Sequence, residues 1–279
     1  MAQYDLIILD FDGTFTDVEK EAGPFFAAYQ KEVRERYGNV DDEWQRALET
    51  LAKDPAHYGW TYEGRVVAPG NADPYLRATV IMNMIFDERG LLPDARERTR
   101  ALSELYVNNY PKADTVFRPE AKQVVEALLD SGLPIFVVTN SATHDVEAKL
   151  DVLAPKGRER LTVHGNAKKY LVSEPKQSSE RFDSVPETMS VDGLRRPVLL
   201  RRGAYYTLLE RLWAETGANA KSTFIAGDIF ELDLAMPATL GCAVHLVLKE
   251  RTEEFEKNAV QQVGGHYSDG LGAILERAL

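Results

Sequence analysis

Tyr4-Asp5-Leu6-Ile7-Ile8-Leu9-Asp10-Phe11-Asp12-Gly13-Thr14 is the stretch on which the reading of this chain turns. Leu6 to Leu9 is a short apolar run with β-branched residues. It is far shorter than the roughly 18 residues of a membrane span and suits a buried strand. The run stops at two acids, a glycine and a threonine. In a parallel sheet, ligands collect beyond the carboxyl ends of the strands. A strand here therefore delivers Asp10 and Asp12 to that edge.

Downstream, the period changes from strand to helix. Phe25, Phe26, Tyr29, Val33 and Tyr37 recur at helical spacing, and Gly38-Asn39 ends that segment. Asp41-Asp42 can cap a helix over Glu43 to Lys53, Asp73-Pro74 opens one reaching Phe86, and Pro93-Asp94 opens another reaching Asn109. Pro55 to Ala72, rich in Gly, Pro, Tyr and Trp, reads as an irregular aromatic loop. Residues 18–112 thus form a predicted insert of four helices and one loop.

From Val116 onward strands and helices alternate. Strands are expected at Pro134 to Asn140, with a polar end, within Arg160 to Gly165, and at Pro197 to Leu200, Ser222 to Ala226 and Ala243 to Leu248. Helices are expected at Pro119 to Leu129, Thr143 to Leu153, Ala204 to Thr216, Glu231 to Leu240, Glu253 to Val263 and Gly272 to Leu279. Alternation of this kind argues for an α/β fold with a parallel sheet covered on both faces. Residues 166–196 break the rhythm. They carry Lys168, Lys169, Lys176, Arg181, Arg195 and Arg196 with little periodicity, as a hairpin, a long functional loop or a partly disordered segment would.

Composition narrows the partners. The 279 residues carry a formal net charge of −11, which repels nucleic-acid backbones and anionic membranes, so neither is an expected partner. Cys242 is the single cysteine, which excludes an intramolecular disulfide and a cysteine-rich metal site, and its apolar surroundings suit a plain core residue. The five histidines share no metal-ligand spacing. The N-terminus has no basic region followed by a long apolar one, so the expected location is cytoplasmic. Monomer and homodimer are both compatible with this surface.

Three predicted strands share one property: each apolar run ends in small polar or acidic residues. The ends are Asp10-Phe11-Asp12-Gly13-Thr14, Thr139-Asn140-Ser141 and Gly227-Asp228, with Asp233 following. In a parallel sheet all three lie on one edge and can converge. Aspartates from two strand ends make an oxygen-rich pocket, which suits Mg2+ better than zinc. Taken singly, each pattern is more simply a turn or a helix cap. The combination is what carries information.

The combination resembles the haloacid dehalogenase-like (HAD) superfamily. Asp10-x-Asp12-Gly13-Thr14 matches its first motif, Thr139-Asn140 its second, and Gly227-Asp228-Ile229-Phe230-Glu231-Leu232-Asp233 its fourth, in the family's order. The resemblance implies a Rossmann-like catalytic core over residues 1–17 and 113–279, with an extra insertion at 166–196, and a helical cap domain over 18–112. It also implies a Mg2+-dependent phosphatase acting on a small phosphorylated metabolite. In that scheme Asp10 is the nucleophile that becomes an aspartyl phosphate, and Asp12 is the proton carrier. Asp10, Asp12 and Asp228 would hold the metal, Asp12 through its backbone carbonyl, with Asp233 behind them. Thr139 and Asn140 would hold phosphoryl oxygens. Dehalogenases of the superfamily lack an acid at the position of Asp12, because a leaving halide needs no proton.

The third motif departs from the pattern. The family expects a lysine just before the helix that leads to the fourth motif. Here that place holds Leu200-Arg201-Arg202-Gly203, so position favours Arg201 and Arg202 as the phosphate-binding cation, with Lys168, Lys169 and Lys176 as alternatives. Basic residues of 166–196 could also sense a second anionic group. Two other readings stay open: a phosphomutase, which keeps both aspartates, and a non-catalytic ligand-sensing module.

Overall fold

The computed structural model describes residues 3–177 and 179–279. The chain clusters into two compact units, one comprising the residues through Asp17 together with Phe117–Leu279, the other Val18–Val116.

Strand β1 (Leu6–Leu9) is buried along its whole length, as its unbroken apolar run requires. The second unit follows it. Helices α1 (Val18–Glu21), α2 (Gly23–Tyr37) and α3 (Asp41–Lys53) precede strands β2 (Gly59–Tyr62) and β3 (Arg65–Pro69), and α4 (Pro74–Arg89) and α5 (Ala95–Asn109) complete it. Asp73 caps α4 by accepting from Leu76 N at 2.7 Å, Pro74 sits in its first turn, and Gly90 closes it in the left-handed region. Asp94 caps α5 in the same way, from Arg96 and Glu97. The core of this unit is aromatic. Phe25 packs edge-on against Tyr75 at 4.9 Å, with Tyr29, Trp44 and Phe86 buried around them. The stretch read as an irregular loop is instead the antiparallel β2–β3 hairpin, with a register shift between Trp60 and Thr61. Half-buried Trp60 and Tyr62 break the strict alternation that marks a strand in sequence.

The first unit resumes with α6 (Ala121–Asp130), β4 (Ile135–Val138), α7 (Thr143–Leu153) and β5 (Thr162–His164). Next come the short α8 (Glu180–Asp183), β6 (Thr188–Met189), β7 (Val198–Leu199) and α9 (Gly203–Thr216). After β8 (Thr223–Gly227) the chain makes a π turn at Phe230–Leu234, then α10 (Ala235–Leu240), β9 (Ala243–Val247), α11 (Glu254–Gln262), β10 (His266–Ser268) and α12 (Gly272–Ala278). Among the described residues no helix is long and apolar enough to cross a membrane.

Six strands form one parallel sheet in the order β10-β9-β8-β1-β4-β5, flanked by helices. In register, Ile8 lies between Phe136 of β4 and Ile225 of β8. The chain grows from β1 toward β4 and β5 on one side and toward β8, β9 and β10 on the other, which makes the carboxyl end of β1 a topological switch point. Val124, Leu128, Val146, Leu150 and Ile274 cover the sheet with a closed apolar layer. Two details differ from the sequence reading. β7 pairs with β6 in a separate two-stranded ribbon. The break at Gly264-Gly265 leads into β10, whose His266 and Tyr267 are exposed, as befits an edge strand without an apolar run.

Candidate active site

Asp10 is held at the end of β1 by its own backbone, whose N–H donates to Ala226 O at 2.8 Å. This bond fixes the first aspartate against β8, the strand that carries Asp228. Asp10, Asp228 and Asp233 each offer a carboxylate oxygen, and these oxygens lie within 4.8 Å of one another. All three residues are buried, at 8%, 2% and 3% exposure. Thr14, fully buried, reaches toward both Asp10 Oδ2 and Asp228 Oδ1, at 3.4 and 3.3 Å. The donor set is oxygen only, matching a hard divalent cation such as Mg2+.

Three buried carboxylates repel one another, and cations balance them. Lys169 Nζ donates to Asp10 Oδ1 at 2.7 Å and to Asp233 Oδ1 at 2.8 Å, and its side chain is 1% exposed. Burial pushes the Asp10 carboxyl well above its usual range, Lys169 pulls it back, and Asp233 and Asp228 push it further up. Asp233 is raised by burial as well, against the pull of Lys169. For Lys169 burial alone would lower the ammonium's pKa, but Asp10 and Asp233 outweigh it and raise it. On the far side, Lys249 pairs with Asp228 Oδ2.

Lys169 owes its position to a loop rather than to a regular element. Asn166 N donates to Ser141 O, Ala167 N to Thr139 O, and Lys169 N to the Asn140 side chain at 2.8 Å. The second-motif residues Thr139 and Asn140 therefore carry the lysine loop, and Asn140 spends its side-chain oxygen there. Arg202 completes the support. Its guanidinium is wholly buried and donates to Lys169 O at 2.7 Å and Leu199 O at 3.1 Å. Burial lowers it to about 10.

Arg201 and Arg202, favoured by position, are thus not the cation beside Asp10. Arg201 turns outward, pairs with Glu174 at 2.6 Å and lies over the Phe182 ring at 4.5 Å. Arg202 acts through the backbone of Lys169. The physical reason is placement: Lys169 fills the position between Asp10 and Asp233, and Arg202 lies behind it on the carbonyls of Lys169 and Leu199. Of the basic residues of 166–196, Lys169 faces Asp10, and Arg196 forms a two-pronged pair with Glu231 at 2.6 and 2.8 Å.

Asp12 sits at the same strand end with its own partners. Ser141 Oγ donates to Oδ2 at 2.7 Å and Lys149 Nζ to Oδ1 at 2.6 Å. The sequence places Ser141 at the polar end of the second strand without a role, and it does not mark Lys149 at all. Ser141 could have been found as the next residue of the second motif, whereas Lys149 lies among polar positions of α7 and gave no signal. Arg118 ties the surrounding loops together, donating to Gly13 O and Leu248 O, both at 2.9 Å.

Gly13 marks where side chains would not fit. Its φ is +81°, and a Cβ there would lie 2.2 Å from Asp228 Oδ2. Gly227 is similar, with a Cβ position 2.5 Å from Asp233 Cβ. G13A is expected to cost about 1–3 kcal/mol of stability from the left-handed backbone and the clash. It should also lower turnover about 100-fold by displacing Asp228. Urea melts and steady-state rates check the two effects separately.

Behind the carboxylates, Glu256 of α11 accepts from Phe230 N at 3.2 Å through Oε1, while its Oε2 is buried without a hydrogen-bond partner. Burial pushes this carboxyl up from 4.5 to about 8, with Lys249 pulling the other way. Between those values the folded chain binds the proton more tightly than the unfolded one, so stability falls as pH rises through that window. E256Q removes the dependence. It is expected to stabilise the protein by about 2–4 kcal/mol near pH 9 and by little near pH 4, read from urea melts at the two pH values. Cys242, buried and pushed up to about 12, is an inert core thiol.

A family model described as haloacid dehalogenase-like hydrolase matches residues 4–177. Similar solved structures include a "predicted phosphoglycolate phosphatase" from Haemophilus somnus 129PT, at 15% identity and a TM-score of 0.56, covering 99% of this chain and 98% of that one. A "putative beta-phosphoglucomutase" from Thermotoga maritima aligns at 12% identity and a TM-score of 0.50, covering 99% of this chain and 100% of that one. The "putative HAD-hydrolase YfnB" from Bacillus subtilis, bound to magnesium, aligns at 11% identity and a TM-score of 0.50, covering 98% and 97%. At these identities the likeness is one of fold. No curated protein matches the sequence significantly.

Proposed function

Because the chain belongs to the haloacid dehalogenase-like hydrolases, we propose that it is a Mg2+-dependent phosphatase that hydrolyses a small phosphate monoester through an aspartyl phosphate on Asp10. The observation that carries this reading is Asp12, an acid two positions after the nucleophile with both of its oxygens held, by Ser141 and Lys149. An alkoxide leaving group needs a proton and a halide does not, so a fixed acid here suits ester cleavage rather than dehalogenation.

In this reading Asp10 attacks phosphorus through a carboxylate oxygen and the ester P–O bond breaks. Lys169, bonded to Asp10 and Asp233, keeps the nucleophile oriented and offsets its charge. Asp12 and the Lys149 ammonium 2.6 Å away form an acid–base pair beside the nucleophile. From this pair the leaving oxygen takes its proton. In the second half a water attacks the aspartyl phosphate, Asp12 accepts the water's proton, and inorganic phosphate leaves with Asp10 restored. Asp10 and Asp228 would hold the Mg2+, joined by the Asp12 carbonyl, with Asp233 behind them. The ion would supply charge neutralisation between the anionic nucleophile and the anionic phosphate. Backbone N–H groups at the ends of β1 and β4, with Thr139, are the candidates for holding phosphoryl oxygens.

Release of inorganic phosphate from a panel of small phosphate esters, with Mg2+ and with EDTA, and release of halide from 2-haloacids test this assignment. Phosphate release that requires the metal, with no halide release, is expected. Halide release without phosphate release would overturn it. Phosphate moved between carbons of one skeleton, with no net release, would reassign the chain as a mutase.

A further inference from the structure

Asp228 is occupied on both oxygens, and one of its partners is a cation. Oδ1 faces the Thr14 hydroxyl at a long 3.3 Å, whereas Oδ2 is paired with the Lys249 ammonium. Lys249 follows directly on the end of β9, two positions past Val247, and its side chain is 6% exposed. It is not one of the family-motif positions, and Lys169 already supplies the cation beside Asp10 and Asp233.

A divalent ion and an ammonium on one carboxylate repel each other whichever oxygen the ion takes, and weak screening in a buried site makes the repulsion large. Lys169 is shared between two carboxylates and stays, whereas Lys249 holds Asp228, so ion binding is favoured when Lys249 yields, and yielding is cheap only if its charge has another buried acceptor. Glu256 supplies one. Its Oε2, on α11, which packs against β9 and the turn that follows Asp228, is buried without a hydrogen-bond partner, and the Lys249 charge pulls the proton affinity of that carboxyl down. A buried carboxyl oxygen with no donor is a standing cost that an arriving ammonium would remove.

We propose that Lys249 is a tethered countercation of the metal site: it competes with the divalent ion for Asp228 and moves to Glu256 Oε2, whose proton is released to solvent, when the ion binds. The lysine thereby sets the metal affinity of the site without touching substrate. The inference rests on the metal-dependent reading above.

Isothermal titration of the EDTA-treated and dialysed full chain with MgCl2 tests it, using wild type, K249M, K249Q, E256Q, K249M/E256Q and D228N. Loss of the competitor is expected to tighten Mg2+ binding about tenfold or more in K249M and K249Q. E256Q, which keeps the acceptor for Phe230 N but offers the ammonium a weaker partner, is expected to weaken binding several-fold when Lys249 is present. It should have no effect in the K249M background, and this non-additivity is the signature of one coupled exchange. A purely structural lysine would lower the melting temperature in EDTA without tightening metal binding. Unchanged or weaker Mg2+ binding in both K249M and K249Q overturns the proposal. Mg2+ binding that survives D228N, or is absent from wild type and K249M alike, overturns the metal-site reading itself, so the two failures are told apart. K249Q, polar and of similar length, guards against a variant that fails to fold.

Discussion

Replacing Lys169 with methionine is expected to abolish turnover and to destabilise the protein by about 3–5 kcal/mol at neutral pH. Lys169 is the shared partner of Asp10 and Asp233, at 2.7 and 2.8 Å, in a place with 1% exposure. Methionine fills nearly the same volume, so little of the loss comes from packing. What remains is two buried carboxyls facing each other near a third. The pH dependence follows from the sign of the shifts. Asp10 and Asp233 already have raised folded-state pKa values, from burial above all, and losing the ammonium raises them further. A carboxyl whose folded pKa exceeds its unfolded value loses stability as pH rises, so the penalty of K169M should be largest at alkaline pH and shrink toward acid pH. Urea melts across pH check this. A flat difference would mean that Lys169 acts through packing.

Asn for Asp10 is the second large effect, and it separates activity from stability. Turnover should fall on the order of 10,000-fold or more, since no group nearby can replace the attacking carboxylate. Stability should not fall with it. Burial and the neighbouring Asp233 and Asp228 hold the Asp10 carboxyl uphill in its ionised form, and Asn removes one charge from the cluster. The amide oxygen can still accept from Lys169. A melting temperature above that of wild type at neutral pH is therefore expected, with the gap closing in acid, alongside loss of the acid-stable phosphorylated protein. Turnover retained in D10N would sink the nucleophile assignment. Together the two variants read the site in opposite directions, because Lys169 compensates charge while Asp10 adds to it.

The sequence held the strands and helices wherever burial is continuous or periodic. Leu6–Leu9, Ile135–Val138 and Thr223–Gly227 could be read as strands because each is apolar along its length, and they are neighbours in the sheet. It was silent where burial is partial, as in the β2–β3 hairpin with its half-buried aromatics and in the edge strand β10 with His266 and Tyr267 exposed. Both form through pairing with partners that leave no pattern of their own in sequence.

By itself the sequence determined the α/β core, the strand ends at Asp10, Asp12, Thr139 and Asp228, and the oxygen-only character of their meeting point. These are local features, carried by the alternation of apolar runs with turn and acid residues. Only the tertiary structure decided which cations serve those acids. Lys169 and Asp10 lie 159 positions apart, and Lys149 and Asp12 lie 137 apart. Proximity in sequence pointed to Arg201 and Arg202. The fold instead laid the 166–169 loop on the carbonyls of Thr139 and Ser141, clamped it with Arg202, and aimed Lys169 inward. A buried ion pair depends on where a flexible side chain can reach once the sheet has closed, and no local period encodes that reach.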